Sequence, residues 1–98
     1  MLKIEADPDL MEQVASNIAR IADDMDAQAR ALAATGDQTA AAWRSAYTGA
    51  YLDSVERVRR GIATAAGNAR AAANALRQSA ADIRHAEESV SRTTAIRR

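Results

Sequence analysis

The feature that most constrains this 98-residue chain is the spacing of its apolar residues in two long stretches. In each stretch, apolar or small side chains recur at alternating intervals of three and four residues, which places them along one stripe of an α-helix. We therefore predict two long helices that pack side by side through these stripes, and we expect the same stripes to bind a second hairpin. The stripe residues are Met11, Val14, Ile18, Ile21, Met25 and Leu32 in the first helix, and Val55, Val58, Ile62, Ala65, Ala69, Ala72, Leu76, Ile83 and Val90 in the second.

A second row of small residues runs beside each stripe, at intervals of seven. These rows widen the apolar face of each helix. Packed helix axes are usually ~8–10 Å apart, and the small side chains of these rows allow a separation at the short end of that range. The rows are Ala15, Ala22, Ala29 and Gly36 in the first helix, and Ala66, Ala73 and Ala80 in the second.

The sequence also indicates where the helices begin and end. Asp7 followed by Pro8 is typical of a helix start, with Asp as the N-cap and Pro in the first position. A turn at Gly36 would leave half of the longer stripe without a partner, whereas a turn between Trp43 and Gly49 gives nearly matched arms. We therefore predict an all-α antiparallel two-helix hairpin with a helix at about 8–42, a turn at about 43–48 and a helix at about 49–93. The chain would be one domain, 1–98, with short flexible ends at 1–6 and 94–98.

All three aromatic residues of the chain lie near this turn: Trp43, Tyr47 and Tyr51. Trp43 can cover the open end of the helix pair, and Ser45 or Thr48 can cap the second helix. Two interpretations of the aromatic group are compatible. It closes the local core, or it also contacts another protein.

A single hairpin is too thin to bury its apolar faces, because one partner helix covers only part of each face. The chain has no cysteine that could stabilise it through disulfides. We therefore predict that two hairpins form a four-helix bundle, with either a second copy or a related protein as the partner.

Charge and composition exclude several classes of function. Residues 1–42 carry three basic and eight acidic side chains, while residues 43–98 carry ten basic and five acidic ones. Because the two halves cancel, we expect no nucleic-acid binding. No stretch is long and apolar enough to cross a membrane, and no signal peptide is expected. His85 is the only histidine, and we expect neither enzyme activity, nor a metal, nor a cofactor.

The sequence resembles the WXG-motif family of about one hundred residues, the small helical hairpins exported by type VII secretion systems. The resemblance rests on the length, on the start "IEADPDL", on the absence of cysteine, and on "AAAW" followed by "AY" at the bend. It implies a secreted or co-secreted protein from an actinobacterium, which leaves the cytoplasm by a route that needs no signal peptide. It also implies a homodimer or a heterodimer with a related hairpin, together with contacts to a secretion ATPase or a larger toxin.

Two motifs depart from the family pattern. Trp43-Arg44-Ser45 stands where the family has Trp-x-Gly, and Val90 and Thr94 occupy the places of the export signal Tyr-x-x-x-Asp/Glu. The chain would then travel with a partner that carries the signal. The alternative is a cytosolic four-helix scaffold, or a targeting adaptor for a larger type VII toxin, that is never secreted.

Overall fold

The computed structural model describes residues 7–43 and 46–96, without the side chains of 94–96. These residues form two helices, α1 (Pro8–Ala42) and α2 (Thr48–Ile96), in a hairpin about 81 Å long and one helix layer thick. The predicted hairpin and the position of its turn are confirmed. Helix α2 begins one residue earlier and ends three residues later than we predicted.

Helix α1 begins as the sequence indicates. The Asp7 side chain accepts hydrogen bonds from the backbone N–H groups of Asp9 and Leu10, at 3.0 and 3.3 Å. Pro8 follows in the first helical turn, where a missing N–H group costs nothing. The helix then continues through Gly36 without a break.

The turn is closed by backbone and side-chain hydrogen bonds. Trp43 ends α1, and its N–H group donates to the carbonyl of Ala40 at 3.2 Å. The Tyr47 carbonyl accepts the first α2 bond from Tyr51 at 3.0 Å, and the Thr48 hydroxyl donates to the Trp43 carbonyl at 2.7 Å. Thr48 thus joins the start of α2 to the end of α1. Ser45, the other predicted cap, lies outside the described residues.

The deepest contact between the helices is made by the two rows of small residues rather than by the large stripe residues. Every described residue of the buried class belongs to these rows, which we call the alanine rows. Their alanine side chains are at most 4% exposed. The large stripe residues lie beside the alanine rows, so they flank the helix–helix contact instead of filling its centre. The alanine rows consist of Ala15, Ala22, Ala29 and Gly36 in α1 and of Ala66, Ala73 and Ala80 in α2.

Two ion-pair clusters show the register of the helices. Arg70 of α2 binds Asp23 and Asp26 of α1, and Arg84 binds Asp9 and Glu12. A step of 14 residues forward along α2 thus corresponds to a step of 14 residues backward along α1, as antiparallel helices require. This register sets the two alanine rows level with each other along the hairpin.

The helices approach closely near the turn, where Gly36 faces Val55. A Cβ atom built on Gly36 would lie 2.9 Å from Val55 Cγ1 and 3.3 Å from Cγ2. Carbon atoms in ordinary contact are roughly 3.5–4.0 Å apart. The absence of a side chain at Gly36 therefore allows Val55 to pack directly against the α1 backbone.

Candidate protein interface

The hairpin has two unlike broad faces, because the rows on either side of the alanine rows differ in chemistry. On one side, arginines of α2 bind carboxylates of α1, and we call this the polar face. On the other side lie the stripe residues of both helices, and we call this the apolar face. Helical spacing places the two stripes on the same side of the hairpin, opposite the ion pairs.

None of the residues on the apolar face is fully buried within one hairpin. Ile21, Val58 and Val90 are between 54% and 66% exposed, and Val14 is 40% exposed. The remaining large stripe residues are half-buried: Met11, Ile18, Met25, Leu32, Val55, Ile62, Leu76 and Ile83. A contiguous exposed apolar surface of this length is typical of a protein-binding site.

Small side chains occupy the middle of the α2 stripe. Ala69 is half-buried, whereas Ala65 and Ala72 are exposed. Leu10 adds an exposed apolar side chain beside the stripe of α1. Our sequence prediction missed Leu10, which lies four residues before Val14 but in a different seven-residue row.

The polar face is held together by charge. Charge-assisted hydrogen bonds raise the pKa of Arg70 through Asp23 and then Asp26, and they raise the pKa of Arg84 through Glu12 and then Asp9. These side chains are partly or largely exposed, so solvent screens the pairs and each adds little to stability. The charges of these two clusters are thus paired within one hairpin.

Arg77 lies halfway between the two cross-helix clusters but faces no acid on α1. Its guanidinium is 3.4 Å from the Asn74 side-chain oxygen on its own helix. The positions on α1 at the same level are Ser16 and Ala19, seven residues after Asp9 and Glu12. Arg77, which lies seven residues from both Arg70 and Arg84, therefore does not take part in the pairing between the helices.

A further charged cluster lies within α2 near the turn. Glu56 accepts hydrogen bonds from Arg59 Nε at 2.8 Å and from Arg60 Nε at 3.1 Å. These bonds, above all those from Arg59, lower the pKa of the Glu56 carboxyl from 4.5 to about 2. The cluster lies on α2 next to Val55, which packs against Gly36.

The aromatic residues form an exposed tip at the turn. Trp43 packs edge-to-face on Tyr51, with ring centroids 5.7 Å apart and an interplanar angle of 86°. Trp43 is nevertheless 51% exposed and Tyr47 75% exposed, while Tyr51 is half-buried. Gly49, another residue that we singled out at the turn, is exposed, and a Cβ atom added to it would meet no other atom within 4 Å.

At the opposite end, the apolar face contains an open groove of about 420 Å³. It is lined by Ile83, Ala86, Glu87, Val90 and Ser91. Val90, one of the two positions of the degenerate export signal, thus lies on the apolar face. Thr94, the other position, is in α2, but its side chain is outside the described set.

The described residues show no arrangement that points to catalysis or to a membrane span. Within 7–43 and 46–96, no group of three or more histidine or acidic side chains could hold a metal ion. Neither of the helices described here is long and apolar enough to cross a bilayer. The notable surfaces are therefore the apolar face and the aromatic tip, which are suited to binding protein.

Comparison with known proteins agrees with this geometry. The family model described as "Proteins of 100 residues with WXG" matches residues 3–88, which include most of both helices and Trp43. No curated protein and no solved structure matches the chain. Members of the family are small helical substrates of type VII secretion systems, are not known as enzymes, and typically form dimers. Since the match spans most of the sequence, the chain belongs to the WXG100 family.

Proposed function

We propose that this protein is a type VII secretion hairpin that dimerises through its apolar face and acts as a secreted factor or a co-secretion partner. The observation that carries the proposal is the exposed apolar face, which extends from the Trp43 tip to the Val90 groove. Together with membership of the family, this surface favours a function based on protein–protein contacts.

The degenerate export signal supports the role of co-secretion partner. A valine and a threonine stand at positions 90 and 94, so neither the tyrosine hydroxyl nor the acidic charge of the signal is present. A chain without the signal can leave the cell when it is bound to a subunit that carries it. The same observation favours the second candidate function, an adaptor or scaffold for a larger type VII toxin that stays in the cytoplasm.

The experiment that separates these functions is secretion from the native host. We would compare culture medium and lysate from cells with an active secretion ATPase and from cells in which that ATPase is deleted. Export that is lost with the ATPase would support the proposal. A chain found only in lysate, bound to a large toxin, would support the adaptor instead.

A pair of matched variants tests the interface itself. Ile21→Asp places a carboxylate in the exposed apolar face, where burial in a dimer would cost several kcal/mol. Ser16→Asp adds the same group on the polar face and serves as the control. We expect light scattering after size exclusion to show a dimer for the control and a monomer for Ile21→Asp. Equal masses for the two variants would refute the apolar face as the interface.

A further inference from the structure

We propose that Ser16 is a phosphorylation site, and that its phosphate binds Arg77 of α2 and Arg20 of α1 to complete a third charged cluster between the helices. The modification gives a role to the polar face, which lies opposite the surface proposed for dimerisation, so it goes beyond the proposed function. Three observations support it: a gap in the acidic series of α1, two arginines beside that gap, and the open space around Ser16.

The gap lies in an otherwise regular series of acidic residues. Asp9, Ser16 and Asp23 are seven residues apart and occupy one row of α1. The two aspartates bind arginines of α2, whereas Ser16 lies level with Arg77 and offers it only a hydroxyl group. A phosphate on Ser16 would supply the missing negative charge, ~1.5–2 units at neutral pH, together with three strong acceptor oxygens.

Two arginines beside Ser16 have no acidic partner among the described residues. Arg77 hydrogen-bonds only to the Asn74 side chain, and Arg20 donates only to the Asn17 side chain, so each contact stays within one helix. Arg20 lies four residues after Ser16, where helical side chains are neighbours, and Arg77 lies at the same level on α2. Because a guanidinium group binds phosphate through paired N–H donors, the two arginines can share one phosphate.

Ser16 is accessible and has room for the added group. Its side chain is exposed and lines an open groove of about 690 Å³ on the surface of α1, together with Arg20. The acids one turn before it and two turns after it, Glu12 and Asp23, are already bound to arginines of α2. This pairing reduces their repulsion of a further negative charge, so the unpaired charges around Ser16 are positive.

The reaction is that of a serine/threonine protein kinase with a nucleoside triphosphate as the phosphoryl donor. The Ser16 Oγ atom attacks the γ-phosphorus and forms a new P–O bond, while the bond from this phosphorus to the oxygen that bridges to the β-phosphate breaks. The nucleoside diphosphate leaves with the electron pair of that bond, and the hydroxyl proton passes to a base of the kinase. The hairpin supplies only the acceptor hydroxyl and the arginines that bind the product.

Mass spectrometry of the chain purified from its native host tests whether the modification occurs. We expect an intact mass that exceeds that of the sequence by one phosphoryl group, and fragments that assign this group to Ser16. The Ser16→Ala chain from the same host should lack it. A chain without phosphate in both growing and stationary cultures, or with phosphate on another hydroxyl only, would overturn the proposed site.

Thermal unfolding tests whether the arginines hold the phosphate. Phosphoserine would be incorporated at position 16 during recombinant synthesis, and Tm compared with that of the unmodified chain. We expect a rise of ~4–8 °C in low salt, most of which is lost in about 1 M salt. Arg77→Gln should abolish most of this rise. Arg57→Gln is the matched control, because Arg57 is also exposed but lies ~30 Å from Arg77 along α2, and it should leave the rise intact.

Two contrary results would refute the cluster. A rise of the same size in the Arg77→Gln chain would exclude the contact between the helices. A phosphorylated chain that is less stable than the unmodified one would show that the acids of α1 repel the phosphate more strongly than the arginines attract it. Neither measurement requires export or association, so these outcomes are independent of the secretion experiment.

Discussion

The contact between Gly36 and Val55 leads to a prediction whose sign can be worked out from distances. In an open helical position, replacing glycine by alanine stabilises the helix by ~1 kcal/mol. At Gly36, however, the new Cβ would lie 2.9 Å from Val55 Cγ1, well inside ordinary contact. Val55 is β-branched and stiff about χ1, so it cannot turn aside cheaply. Overpacking of this kind costs ~1–3 kcal/mol, so Gly36→Ala should be neutral or destabilise by up to ~2 kcal/mol.

Gly67 provides the matched control, because it lies in the middle of α2 with nothing within 4 Å of its Cβ position. Gly67→Ala should therefore stabilise the protein by the full helix-propensity difference. The two variants should differ by ~1–3 kcal/mol, and each kcal/mol corresponds to ~4–8 °C in Tm for a chain of this length. Combining Gly36→Ala with Val55→Ala should remove the clash and show a favourable coupling between the two positions.

Urea unfolding followed by circular dichroism would measure these differences. All variants must be compared at one protein concentration, because association contributes to the stability of a dimer. If Gly36→Ala stabilises the protein as much as Gly67→Ala does, the close approach of the helices at Gly36 is refuted.

The remaining predictions concern the two faces and the tip. Ser16→Asp should pair with Arg77 and raise Tm by the equivalent of up to ~1 kcal/mol in low salt; an increase that survives 1 M salt would contradict the ion pair. Trp43→Ala should lower Tm through loss of the edge-to-face pair, worth ~0.5–1.5 kcal/mol beyond its buried area; an unchanged Tm would make the ring a contact residue only. The stability from Glu56, whose pKa is lowered on folding, should be present above pH 4.5 and lost as the pH falls towards 2; Glu56→Gln should flatten this part of the stability profile, and an unchanged profile would refute the assignment.

Much of the architecture could be predicted from local chemistry. Asp7 and Pro8 determine the start of α1 through an N-cap and a fixed φ angle, which are properties of adjacent residues. The position of the turn followed from matching the lengths of the two stripes. These features depend on short segments or on simple counting, and the structure confirms them.

The depth of each row could not be predicted in the same way. The three-and-four spacing drew attention to large residues such as Ile18 and Ile62, yet Ala22 and Ala73 lie deeper. A periodic pattern identifies an apolar side of a helix, but it does not say which of two adjacent rows faces the neighbouring helix. That choice depends on how closely the backbones approach, and here small side chains in both helices allow the closer packing. The available signal was the seven-residue repeat of alanine in both helices, ending at Gly36 in α1.

The alanine rows also bear on how the hairpin keeps its alignment. Because their steps are nearly identical, shifting one helix past the other by seven residues would again set alanine against alanine along most of the contact. The ion pairs make such a slip unfavourable. Moving Arg77 level with Asp23 and Asp26 would leave Arg84 beside Ser16 and bring Arg70 beside Arg30, and the opposite shift would also lose one of the two clusters. The uneven placement of acids along α1 therefore distinguishes one alignment from its neighbours, which uniform small residues alone could not do.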